Sequence, residues 1–252
     1  MKLQIHLLSK NIIHLPVHYN HLLQAMLLKS IDDEQYRTFI HDQGYHYEKR
    51  QFKLFTFSKL NGKYKLSMDR KFIDFEKEIM LIVSSSQESF IKQLEQGIKT
   101  KTIRLGSNEL QVTKLIVKEE SLIVKEESLV GDYLKVRTLS PVVAYSTIIE
   151  AGKKKTLYYT PQDEQFSKVL RENIIKKYKS IYGERPLQNE DFEVLAIATE
   201  KYQKSVVYYK NFIINGYSGN YVLLGNPVLI QFALEAGLGG KNAQGFGCVE
   251  AK

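Results

Sequence analysis

The chain has 252 residues, 43% of them hydrophobic and 25% charged, a globular composition that excludes wholesale disorder. Its 36 lysines and arginines outnumber 28 acidic residues, and the resulting net charge of +8 suits a polyanionic partner. The single cysteine, Cys248, excludes an intramolecular disulfide and a multi-cysteine zinc site, and no apolar run approaches the ~18 residues of a membrane helix.

Lys2 to Leu8 alternates Leu3, Ile5 and Leu7 with other residues at the period of a strand, so the N-terminus does not read as a signal peptide. The expected setting is the cytoplasm. Pro16 and Asn20 announce a helix with Asn20 as its N-cap, and Leu22, Leu23, Met26, Leu27 and Ile31 follow at helical spacing. A shorter helix is expected from Asp33 to His41, stopped by Gly44. The aromatic run Phe52 to Ser58, FKLFTFS, predicts a strand, and Glu78 to Val83 another. Gln87 to Gln96 reads as a helix with Phe90, Ile91 and Leu94 inward. Ile103 to Val117 returns to strand character through a turn at Gly106 to Asn108.

The second half repeats this plan. Leu134 to Thr138 and Val142 to Ile149 are strand-like, and Gln162 to Tyr182 is a long helix with Phe166, Leu170, Ile174 and Tyr178 spaced by four. Strands are expected at Phe192 to Ala198, Lys204 to Ile214 and Tyr221 to Leu224, a helix from Pro227 to Ala236, and a last strand at Phe246 to Ala251. Each half then runs strand, helix, strands, helix, strand. The fold class is α+β: two tandem ferredoxin-like, RNA-recognition-like domains, each an antiparallel sheet with helices on one face. Between the halves, Leu115 to Ser121 reads LIVKEES and Leu122 to Ser128 repeats it letter for letter. Two copies are too few for a coiled coil or a solenoid, so this is a small tandem duplication at a surface connection, one copy strand and the other linker. It divides the chain into domains at 1–128 and 129–252.

The stretch Gly237 to Gly247, GLGGKNAQGFG, holds two Gly-hydrophobic-Gly units around Lys241. Its amides are candidates for a phosphate-binding nest. The alternative is a tight helix-to-strand connection whose glycines serve packing alone. A P-loop is excluded because Asn242, not Ser or Thr, follows Lys241, and a dinucleotide fingerprint would follow a strand and open a helix.

In this setting the loop resembles the signature of the repeat-associated RNA-binding superfamily known as RAMP. Within it, the chain resembles the CRISPR-associated endoribonuclease that processes precursor CRISPR RNA. YNHLLQAMLLKSI (Tyr19 to Ile31) is similar to the family's first helix. FIHDQGY (Phe39 to Tyr45) and FKLFTFS resemble the segment around its catalytic histidine, and VRTLSPVV (Val136 to Val143) the opening of its second domain.

The resemblance implies a metal-independent cleavage in which the ribose 2′-OH attacks the adjacent phosphorus, leaving a 2′,3′-cyclic phosphate and a 5′-OH. Of six histidines, His41 occupies the position of the family's general acid/base, and Lys53 that of its lysine. Histidine suits proton transfer near neutral pH, and lysine suits the charge of a phosphorane. The family's helix tyrosine is replaced by Leu28, beside Lys29, so the third role falls to His46, with Tyr45 and Tyr47 as alternatives. No metal site or cofactor is expected. Expected RNA contacts are Gly237, Gly239, Lys241, Gly245 and Gly247. Basic residues at Lys49, Arg50, Lys153 to Lys155, Lys168, Arg171, Lys176, Lys177 and Lys179 are available for phosphate affinity. Some of the 16 tyrosines are available for base stacking. The implied partners are CRISPR repeat RNA and further subunits of an interference complex, with no membrane and with the chain a monomer or homodimer. The alternatives are a non-catalytic RNA-binding subunit of such a complex and a basic small-molecule enzyme with a nucleotide-binding glycine loop.

Overall fold

The computed structural model describes residues 1–119, 133–184, 187, 189–197, 201–210 and 212–252. The boundary placed after residue 128 and the second LIVKEES copy lie outside the described residues. The first copy opens inside a strand, its Leu115 pairing with Ile5. No helix among the described residues is long and apolar enough to cross a membrane.

Strand β1, Lys2–Leu8, buries Leu3, Ile5 and Leu7 as its alternation requires. β2, Ile13–Pro16, leads to helix α1, Asn20–Lys29. Tyr19, not Asn20, stands at the N-cap and makes no side-chain cap. Asn20 instead donates its amide to the carbonyls of Gln244 and Gly245 at 2.8 and 3.3 Å, joining the two halves of the chain. Helix α2, Glu34–Thr38, is capped by Asp33, which accepts from the Tyr36 amide at 2.9 Å. It widens into a π-turn, Phe39–Gln43, that ends at Gly44 (φ 65°). His41 therefore lies in that wide turn and not at the end of one continuous helix.

β3, Tyr45–Tyr47, and β4, Arg50–Phe52, form a hairpin, followed by β5, Phe55–Phe57. The continuous strand expected over Phe52 to Ser58 is broken at Lys53 and Leu54, where Leu54 takes φ 54°. Its side chain joins the hydrophobic core of the second half, whereas Phe55 and Phe57 belong to the core of the first. Serving two cores requires the kink. β6, Tyr64–Leu66, and β7, Phe72–Phe75, form a small sheet with β2 that the pattern did not reveal. β8, Glu78–Ser85, helix α3, Glu88–Lys99, β9, Ile103–Leu105, and β10, Asn108–Lys118, complete this half. β1 lies between β8 and β10, antiparallel to both, with Ile5 opposite Leu81 and Leu115.

The second half starts with β11, Tyr133–Thr138, and a hairpin of β12, Ala144–Glu150, and β13, Lys153–Tyr159. Lys153 to Lys155 open β13, and Ala151 and Gly152 make the turn at φ 49° and 74°. Helix α4 spans Glu164–Tyr182 and is followed by β14, Phe192–Ala196. Its buried stripe is Phe166, Leu170, Ile174 and then Lys177, with Tyr178 only partly buried. The single strand expected over Lys204 to Ile214 is a hairpin of β15, Gln203–Tyr209, and β16, Phe212–Ser218, reversing at Lys210 (φ 53°). β17, Asn220–Gly225, helix α5, Pro227–Ala236, and a short β18, Val249–Ala251, end the chain.

The main sheets run β5-β8-β1-β10-β9 and β14-β17-β11-β18. Leaving out the edge strand β9, both have the spatial order second, third, first, fourth. A long helix follows the first strand (α1, extended by the short α2, and α4) and another the third (α3 and α5) in each half. These are two tandem ferredoxin-like domains.

Candidate active site in the interdomain cleft

The π-turn, the break after β4, the tip of the β15–β16 hairpin and the glycine-rich loop converge on a cleft of about 500 Å³. His41, Lys53, Arg50, Lys210, Lys241 and Tyr209 line it. Of the residues expected from the sequence, the cleft thus gathers His41, Lys53 and Lys241, with Arg50 and the buried Lys177 of the basic residues named.

His41 is exposed, and its Nδ1 lies 2.5 Å from an Asp42 carboxylate oxygen. A carboxylate can only accept, so this contact holds a proton on Nδ1 and leaves Nε2 outside the pair as the nitrogen that can exchange a proton. The Lys53 ammonium donates to the main-chain carbonyl of His41. Burial pushes Lys53 below the ordinary lysine value; Asp42 opposes this, and the positive charge of Lys210 adds to it. Lys210 is therefore an electrostatic neighbour of Lys53 from the other domain.

His46 does not join them. It sits in the middle of β3, exposed and opposite Gln51, outside the cleft wall. The named alternatives also face elsewhere: Tyr45 packs edge-on against Phe39, and the Tyr47 hydroxyl donates to Glu184 at 2.7 Å. Leu28, where the family's tyrosine was expected, is buried in the first core. Two phenols line the cleft, Tyr145 of β12 and Tyr209 of β15, and Tyr209 donates to Gln24 on α1. The Tyr209 hydroxyl is raised above the ordinary tyrosine value by burial.

The glycine-rich loop corrects another expectation. Gly237, Gly239, Gly245 and Gly247 are buried, and their backbones press against protein. A Cβ at Gly245 would run into Phe57 and stand 2.7 Å from Asn20 Nδ2, and one at Gly247 would strike the Leu238 carbonyl. Several amides are committed internally: Gly237 to Ala233, Leu238 to Gly247, Gly240 to Val143 and Gly247 to Pro141. Thr56 Oγ1 donates to Phe246 O at 2.8 Å, and Asn242 Nδ2 to Leu238 O and Phe246 O at 3.0 Å each. Gly237 and Gly245 pack closely against the first domain, and Gly239 and Gly247 against their own, so the four backbones form no open nest. Lys241 alone of the five expected contacts lines the cleft, at φ 63° with its ammonium 5.4 Å from the Tyr145 ring centre. Behind the loop, the buried Lys177 donates to Gly237 O at 2.7 Å and Gly239 O at 2.9 Å.

Several basic residues expected on α4 are already paired. Lys176 meets Glu48 at 3.2 Å, and Lys179 meets Glu184 and Glu190 at 3.1 and 3.0 Å. With the Tyr47–Glu184 bond, these contacts fasten the β3–β4 hairpin to α4. Cys248 is buried just ahead of β18. Among the described residues, no group of three His, Cys, Asp or Glu side chains stands together as a metal site. Gln24, Tyr209 and Lys210 were missed by sequence reasoning because each reaches the cleft from an element distant in the chain, with no local motif.

Residues 124–251 match the family described as CRISPR associated protein Cas6, C-terminal. The chain is 28% identical over 256 aligned residues to the CRISPR-associated endoribonuclease Cas6 1 of Methanocaldococcus jannaschii, covering 99% of this chain and 92% of that one. A solved structure from a Cas6-related gene of Pyrococcus furiosus shares the fold with a TM-score of 0.82 at 23% identity, covering 100% of this chain and 98% of its own. A RAMP protein described as binding different RNA substrates superposes with a TM-score of 0.81, also at 23% identity and covering 100% and 99% of the two chains.

Proposed function

Because the chain belongs to the Cas6 family of CRISPR-associated proteins, we propose that it is an endoribonuclease that cuts CRISPR repeat RNA in precursor transcripts to yield guide RNA. The observation that carries this reading is the meeting of His41 and Lys53 on one wall of a cationic cleft. Repeat RNA lies in the cleft with a phosphate near Lys53. The 2′-oxygen forms a bond to phosphorus and gives up its proton as the P–O5′ bond breaks. The leaving oxygen gains a proton, and the products are a 2′,3′-cyclic phosphate and a 5′-OH. His41 Nε2 exchanges one of these protons, with Asp42 keeping the other ring nitrogen protonated. The Lys53 ammonium stabilises the phosphorane. No metal is needed to generate a nucleophile that the substrate already carries.

Lys241, Arg50 and Lys210 bind flanking phosphates, and the loop glycines shape the turn that carries Lys241. Residues 1–128 are then the domain of the reacting groups and 129–252 the domain of the glycine-rich loop. The chain keeps one product and hands it to an interference complex. A second reading, a non-catalytic RNA-binding subunit, draws support from Leu28, which puts a buried aliphatic side chain where the family's tyrosine was expected. End-group analysis of the cut repeat RNA tests the proposal. A 2′,3′-cyclic phosphate and 5′-OH support it, whereas a 5′-phosphate or the absence of cutting contradicts it.

A further inference from the structure

The buried face of α4 reads Phe166, Leu170, Ile174 and then Lys177, a cation where the pattern calls for an apolar side chain. Lys177 is 2% exposed. Burying an ammonium is costly unless it is well bonded, and an apolar residue of similar volume often serves stability better. Among the described residues no carboxylate pairs with it; its acceptors are two main-chain carbonyls, those of Gly237 and Gly239. Both belong to the first Gly-hydrophobic-Gly unit, with φ of 84° and 67°. Between them, the Leu238 amide is tied to Gly247 O at 2.9 Å. Just beyond, the Gly240 amide is tied to Val143 O at 2.9 Å, and Lys241 follows at the cleft. The ammonium thus draws two carbonyls of a tight turn inward, at the point from which the chain turns out to Lys241.

We propose that Lys177 is a positioning residue for RNA recognition: by clamping the carbonyls of Gly237 and Gly239 it fixes the turn that presents Lys241 to the cleft. This rests on reading the cleft as the RNA site. Lys177 acts through the loop and not by touching RNA.

Two measurements on the full chain separate this role from general stability. The first is amide hydrogen exchange without RNA in Lys177→Met. The expected result is faster exchange, by about tenfold, confined to peptides covering 237–247, because the two side-chain hydrogen bonds to the loop are lost. The second is a double-mutant cycle on affinity for repeat RNA, in a His41→Ala background that prevents turnover. Lys177→Met and Lys241→Ala should each weaken binding, and the double variant should be no weaker than the poorer single one. Independent, multiplicative losses would overturn the proposal. If Lys177→Met does not fold, the same measurements on Lys177→Leu, which also removes the N–H donors, decide. Normal loop exchange overturns the positioning role while leaving the cleft reading in place. Unchanged affinity in Lys241→Ala overturns the cleft reading, whatever the exchange data show.

Discussion

The ammonium of Lys53 is bound to the main-chain carbonyl of His41 across 12 residues of sequence. The bond locks the π-turn onto the break after β4, so the acid/base candidate and the charge candidate move as one unit. Lys53→Ala removes both a phosphate partner and this tie. Cleavage should fall by about 10- to 1,000-fold, as expected for loss of a charge aimed at the transition state. Single-turnover rates at saturating enzyme would show it. A rate within a factor of about two would remove Lys53 from the chemistry.

His46 is exposed in the middle of β3 and does not line the cleft. His46→Ala should leave single-turnover cleavage within about threefold of wild type, the range left for a group that does not reach the reacting atoms. A loss comparable to that of His41→Ala would show that the hairpin moves when RNA binds.

Phosphate contacts release counterions. Removing one lysine that contacts a phosphate lowers the slope of log affinity against log salt by about one. Lys241→Ala and Lys210→Ala should each do so when binding is measured over a salt series. Lys179→Ala should not, because Lys179 is held between Glu184 and Glu190.

Burial lowers the Lys177 ammonium to about 7. The charged and titratable side chains lining the cleft beside it from other elements are Lys53, Lys241, Lys210, Arg50, His41, Tyr145 and Tyr209. Its folded value lies below the unfolded lysine value of ~10.4, so between these two values the unfolded chain carries a proton that the folded chain does not. Stability from this group is therefore full above pH ~10.4 and is lost as pH falls towards 7, with a slope of at most ~1.4 kcal/mol per pH unit. Urea unfolding of wild type and Lys177→Met at several pH values would isolate it as the difference in slope. Parallel curves would contradict it.

The packing of the glycine-rich loop makes a prediction independent of RNA. Gly247 has φ 74°, and a Cβ there would strike the Leu238 carbonyl, which is backbone and cannot swing aside. Gly247→Ala should cost about 2–4 kcal/mol in chemical unfolding, combining a disfavoured φ with overpacking. A cost under ~0.5 kcal/mol, the range of neutral surface changes, would show that the loop relaxes freely.

Local pattern revealed much of the fold. Leu3, Ile5 and Leu7 announced β1, the periodicity of α4 gave its buried stripe as far as Ile174, and the repeated element order gave the tandem arrangement. Errors arose where tertiary contacts override local preference. Asn20 has the chemistry of a cap but is drawn across to Gln244 and Gly245. FKLFTFS has the composition of one strand but feeds two cores, so it breaks at Leu54. The hairpin turns at Gly152 and Lys210 carry weak signals, and the lysines after Gly152 masked a strand. In the cleft, His41 and Lys53 were legible through resemblance. Tyr209 and Lys210 depend on contacts between domains, and the role of Lys177 on contacts with a distant loop of its own domain, that no local window contains.

Cleavage of labelled CRISPR repeat RNA in excess EDTA, wild type beside His41→Ala, tests the central claim most directly. The account expects wild type to cut at one site without metal and His41→Ala to be slower by about 100-fold or more, the contribution of a positioned general acid or base. Equal rates in the two proteins, or a wild type that binds the repeat without cutting it, would contradict it.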